Sequence, residues 1–163
     1  TLFRSVVLQH FHGMDRFASP CSASHVVSFN PAFVQALSLH AEANRSARFD
    51  LFLATRHLSH EATSYARVHP NIFVSGAWWH GFTPTTLLEF FRDRFEMLPR
   101  TAWNAFYSDG YMVEWVYAKL LVTKTRLAQA LFDLVDEGLV DAGDAHELAE
   151  YVLYRNPLRI YGE

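Results

Sequence analysis

Seven side chains in this sequence have the types and spacing to do chemistry together. Asp109 offers a carboxylate, His10 and His12 two imidazoles, Arg56 a guanidinium, Tyr111 a phenol, and Trp78 and Trp79 two indoles. His10 and His12 are two residues apart, so on an extended strand both point to one face. Imidazole nitrogen with carboxylate oxygen is a donor set zinc accepts while keeping positions open for water or substrate. Asp109 with His10 or His12 is therefore a candidate divalent-metal site. Arg56 is suited to bind a substrate carboxylate bidentately. One of two adjacent indoles on a strand must face away from the other, so either Trp78 or Trp79 can wall a pocket. Each residue also has a plainer reading. Ser108-Asp109-Gly110 is good turn chemistry, the two histidines can bond to backbone, and Arg56 can pair with Asp50 or Glu61. His57 and His60 read as solvated residues near a helix start.

These residues need elements that bring them together. Leu2 to His10 reads as a buried strand, and residues 17 to 30 as an irregular loop. Asn30-Pro31 opens a helix over residues 31 to 45. A second strand runs from Arg48 to Thr55. A short helix over 58 to 68 follows, with Ser59 as its cap. Ile72 to Gly76 is the third strand, leading into Trp78-Trp79-His80. Thr83-Pro84 opens a helix to about Phe95, with Leu87, Leu88, Phe91 and Phe95 on one stripe. Asn104 to Asp109 is the fourth strand, ending in the carboxylate. The spacing then predicts a long helix over Glu114 to Leu134, closed near Gly138, and a last helix from Ala142 to Tyr154 before Asn156-Pro157. Phe90, Phe91, Trp115 and Tyr117 read as core against the sheet. Near-continuous apolar strands alternating with amphipathic helices argue a parallel sheet covered by helices. Four βα units are half of a (β/α)8 barrel, whose chemistry sits at the strand C-terminal ends. All seven candidates fall at or just after such ends. A small doubly wound domain is the other architecture considered. No G-x-G-x-x-G follows any strand, so the usual dinucleotide fingerprint has no support.

Composition narrows the classes further. The chain has 163 residues, half of them apolar, which suits a single domain over residues 1–163. A net charge of −3 argues against a nucleic-acid partner. No apolar run reaches about 18 residues, so no membrane span is expected, and no signal peptide is visible. A single cysteine, Cys21, fits a reducing cytoplasm. The sequence begins at Thr1 and runs at once into Val6-Val7-Leu8, which reads as the C-terminal part of a longer protein.

Gly76-Ala77-Trp78-Trp79-His80, followed about thirty residues later by Ser108-Asp109, resembles the end of the uronate isomerase family. That family belongs to the metal-dependent amidohydrolase superfamily of (β/α)8 barrels. Its members carry Gly-x-Trp-Trp on the seventh strand and Thr-Asp on the eighth. They close with an Asn-containing segment similar to Arg155-Asn156-Pro157-Leu158-Arg159-Ile160-Tyr161. The resemblance covers roughly residues 71 to 163. It implies the C-terminal half of a TIM barrel: four βα units of parallel strands plus a terminal helix. It implies that Asp109 binds a metal and shuttles a proton, and that the Trp-Trp segment lines a sugar-acid pocket. It further implies that His10 or His12 matches a fifth-strand metal ligand. One departure stands out. The family continues Thr-Asp-Ser-Arg, whereas this chain reads Ser108-Asp109-Gly110-Tyr111. A phenol can hydrogen-bond a hydroxyl but cannot pair with a carboxylate.

The expected function is a cytoplasmic aldose–ketose isomerase converting glucuronate to fructuronate by metal-assisted proton transfer. Its partners are then a small sugar acid, the remaining N-terminal half of the barrel, and a homo-oligomeric copy. The alternative keeps the fold and makes the protein a metal-dependent hydrolase of a lactone, ester or amide. A third reading is a non-enzymatic sugar-binding or assembly domain using the Trp-Trp wall.

Overall fold

The computed structural model describes residues 6–9, 14–17, 26–29, 32–53, 56–77 and 82–162. Four strands form one parallel sheet: β1 (Val6–Gln9), β4 (Arg48–Leu53), β5 (Ile72–Ala77) and β6 (Trp103–Asn104), in that order across the sheet. The pairings are Val6 with Arg48, Phe49 with Ile72, and Val74 with Trp103, all parallel. The remaining strands, β2 (Met14–Phe17) and β3 (Val26–Phe29), form a separate antiparallel pair. This corrects the expected irregular loop over 17 to 30. Val26-Val27 is β-branched, and the partner strand lies just upstream, so a local pairing wins over the loop chemistry around it.

Period-two alternation sorts the sheet into two faces. Phe49, Leu51 and Leu53 of β4, Ile72 and Val74 of β5, and Trp103 of β6 join one buried apolar cluster. The helices cover this face: α1 (Ala32–Ala43), α2 (Ser59–Val68), α3 (Pro84–Met97) and α4 (Val113–Asp136). From α3 come Leu87, Phe90 and Phe91, and from α4 come Leu127, Ala130, Leu131 and Leu134. Trp103 is the hub. Its ring meets Phe95 edge-on at 4.9 Å and Phe91 at 6.1 Å. The other face carries Asp50, Phe52, Ser75 and Asn104, a mixture of polar and aromatic groups.

The expected helices are present, with instructive differences at their ends. A 3-10 turn, Arg56–Leu58, precedes α2, and Leu58 takes the N-cap position with no side-chain cap, so Ser59 is not the cap expected of it. α4 closes as expected: Gly138 adopts φ +71°, and the Gly138 and Leu139 N–H groups reach back to Val135 and Leu134. This is a left-handed cap that glycine accepts without strain. The last helix does not stop at Tyr154. α5 (Ala142–Glu150), capped by the Asp141 carboxylate, continues through a π-helical stretch, Tyr151–Arg155, into α6 (Asn156–Tyr161). Pro157 falls in the first turn of α6 and has no N–H to give back along the helix, and the Val152 carbonyl five residues earlier accepts from the Ala105 N–H. Trp115 and Tyr117 are not core: they are 42% and 63% exposed, while Phe90 and Phe91 are buried as expected.

Candidate functional site at the strand ends

β6 pairs over two residues only, so Asp109 lies five residues beyond the sheet rather than at the end of a long strand. The reason is its edge position. The Ala105 N–H donates to the Val152 carbonyl of the π-helical stretch instead of to a further strand. From Phe106 to Gly110 the chain has no regular structure and runs up against the first turns of α4. Asp109 takes φ +38°, a left-handed conformation that costs a non-glycine residue energy. At Gly110 a β-carbon would stand 2.6 Å from Val116 Cγ2, so a larger residue here would have to displace the Val116 side chain.

Lys119 of α4 holds this turn. Its ammonium donates to the Ser108 carbonyl at 2.5 Å and sits 4.5 Å from the centre of the Phe82 ring. Burial pulls the Lys119 amine below its ordinary range, and the Asp109 charge opposes that shift. Tyr107, one position before Ser108, packs on Phe52 with ring centres 4.2 Å apart. Burial raises its phenol, and the carboxylates of Asp109 and Asp50 add to the rise.

Below this rim, on the polar face of the sheet, lies a cavity of about 240 Å³ lined by Phe52, Ser75, Asn104, Phe106, Tyr107, Pro157 and Tyr161. A buried polar chain crosses the strands beside it. Asn104 Nδ2 donates to Ser75 Oγ at 2.5 Å, and Ser75 Oγ donates to Asp50 Oδ2 at 2.6 Å. Burial pushes the Asp50 carboxyl up to about 7, against the hydrogen bonds from Ser75 and the charge of Arg94. Arg94 is itself fully buried, stacked 3.3 Å from the Phe90 ring centre and donating to the Asn104 carbonyl at 3.3 Å. Burial pulls its guanidinium well below the usual range, with Asp50 opposing. Asp50 Oδ1 and Asn104 Oδ1 have no hydrogen-bond partner among the described residues. Sequence reasoning missed this chain. Its signal was a carboxylate in the middle of the otherwise apolar run Phe49-Asp50-Leu51-Phe52-Leu53.

Asp109 stands at the turn just described, half-buried. Tyr111, 86% exposed, projects into solvent two residues later. Arg56 lies directly after β4 in the 3-10 turn but pairs with Glu89 of α3 at 3.4 Å, rather than with Asp50 or Glu61. His57 and His60 are exposed, and His60 is 4.0 Å from Asp93. His10, His12, Trp78, Trp79 and His80 lie outside the described residues, as do Cys21 and the Asn30-Pro31 helix start. Among the described residues no three His, Cys, Asp or Glu side chains are grouped to hold a metal ion. No helix among them is long and apolar enough to cross a membrane.

No family model matches the sequence, and no curated protein does. The fold, however, is found among solved structures. A uronate isomerase from Bacillus halodurans superposes with a TM-score of 0.80 at 23% identity, covering 93% of this chain and 37% of that one. A uronate isomerase from Thermotoga maritima gives 0.75 at 15% identity, covering 85% and 32%. This chain has the fold of part of those enzymes. It spans about a third of their length.

Proposed function

We propose that this chain is the C-terminal half-barrel of a uronate isomerase-type enzyme that interconverts glucuronate and fructuronate. The observation that carries the reading is the fold likeness over nearly the whole chain, in a parallel βα arrangement with Asp109 beyond the last strand's C-terminal end. In this reading the polar face bearing Asp50, Ser75 and Asn104 looks into the barrel, and the turn at Asp109 lies at its mouth, where barrel enzymes keep their reacting groups.

Aldose–ketose isomerisation moves a proton between C1 and C2 and needs a base close to those carbons. Asp109 is that base. Its carboxylate and an imidazole from His10 or His12 are donor types that fit a divalent cation such as zinc. Bound there, the cation would supply Lewis-acid polarisation of the substrate oxygens. Trp78 or Trp79 walls the sugar pocket. Tyr111, exposed at the rim, is free in reach to hydrogen-bond a hydroxyl. Arg56 would bind the substrate carboxylate by giving up its exposed pairing with Glu89, a contact of the kind worth at most about 1 kcal/mol. The N-terminal half of the barrel, a second copy of the enzyme and a cytoplasmic location belong to the same proposal. Gly110-Tyr111 in place of the family's Ser-Arg favours the second reading, a metal-dependent hydrolase on the same scaffold.

The test uses the metal-loaded full-length protein and its Asp109→Asn variant. Interconversion of glucuronate and fructuronate by the parent, lost in the variant, is the expected result. A parent that binds metal but does not turn over either uronate would retire this substrate and leave the hydrolase in first place.

A further inference from the structure

We propose that Lys119 is a positioning residue for Asp109: its ammonium ties the Ser108–Asp109 turn to α4 and so fixes where the carboxylate sits. The inference rests on the function proposed above only in naming Asp109 as the reacting group. The buried stripe of α4 runs Lys119, Thr123, Leu127, Ala130, Leu131, Leu134. Four positions are apolar or small, and the polarity rises only toward the end that faces the turn. Lysine is almost never buried unless paired, and Lys119 is 5% exposed. An apolar residue there would complete the stripe at no desolvation cost. What the lysine adds is a charged donor to the Ser108 carbonyl, with the Phe82 ring against the ammonium. The turn it holds is one the chain would otherwise leave. Asp109 is left-handed without being glycine, and such a conformation persists where its surroundings over-determine it. Those surroundings are Lys119 on the Ser108 carbonyl and Val116 against Gly110.

The test compares the full-length wild type with Lys119→Met and Lys119→Arg. In uronate turnover, Lys119→Met should lower kcat about 10- to 100-fold, the scale of a misplaced reacting group, with KM within about threefold. Lys119→Arg, which keeps a charged donor, should recover part of the loss. A kcat unchanged in Lys119→Met overturns the proposal, and so does a variant whose loss lies wholly in KM. Crystal structures of the wild type and Lys119→Met supply a readout that does not depend on the reaction. Asp109 should leave its left-handed conformation in the variant, and a superimposable turn overturns the proposal even if no uronate is turned over. If Lys119→Met does not fold, Lys119→Gln takes its place in both measurements.

Discussion

Asp50 is the residue whose surroundings cost the fold most directly. It is fully buried, its Oδ2 accepts from the Ser75 hydroxyl, and its Oδ1 has no partner among the described residues. Its carboxyl moves from 3.8 to about 7 on folding. Between those values the folded protein binds the proton that the unfolded chain has released, so stability falls as pH rises. The stabilisation is fully present below pH 3.8 and is lost as pH rises through about 7, a swing on the order of 4 kcal/mol. Denaturant midpoints of the full-length protein across pH 4 to 8 should show this fall, and Asp50→Asn should flatten it. An equal slope in both proteins would count against Asp50 as its source. None of this was legible beforehand. The sequence places a carboxylate in a strand, but its partners come from β5, β6 and α3, twenty-five to fifty-four residues away. That a loop carrying Asp109 precedes the long helix was legible, because strand-then-helix patterning is local, but the strand expected to reach Asp109 ends at Asn104. That Lys119 meets Ser108 was not, because helical spacing alone makes Lys119 one more polar residue on a long helix.

At the scale of elements, periodicity located the helices and the parallel strands, since apolar spacing is imposed by burial on one face. It failed where tertiary contacts decide. β6 is short because the π-helical stretch, not a strand, takes its outer N–H. The helix expected to end at Tyr154 continues because Asn156 is buried there with work to do. Its Nδ2 donates to the carbonyls of Arg100 at 2.6 Å and Trp103 at 2.7 Å, tying α6 to both ends of the turn into β6. Asn156→Ala would take this donor from the buried bond to the Trp103 carbonyl and from the part-buried bond to the Arg100 carbonyl. The expected loss is about 1–3 kcal/mol, read as a lower urea midpoint in the full-length protein. An unchanged midpoint would show that water replaces the amide. A π-helical insertion is a recognised way to re-aim a helix, and here it precedes the residue that makes these two bonds.

For the whole molecule, the exposed side chains bear on the half-barrel. Phe82, Tyr111, Met112, Val113, Trp115, Tyr117 and Leu121 are all exposed, and Phe82 and Trp115 meet edge to face at 6.1 Å. An apolar surface of this kind favours association. The isolated 163-residue chain should therefore elute from a sizing column larger than a monomer and show no uronate turnover. A sharp monomer peak with cooperative unfolding would speak against the half-barrel. The bonds from Asn156 and Val152 to β6 also set an order of events. A ribosome makes Trp103 some fifty residues before it makes Asn156. Until those later residues emerge, the strand leading to Asp109 lacks its outer partners. A chain cut short between Lys119 and Val152 would carry every proposed reacting residue in its sequence and still lack the backing that holds them. In this protein the site is written early and finished late.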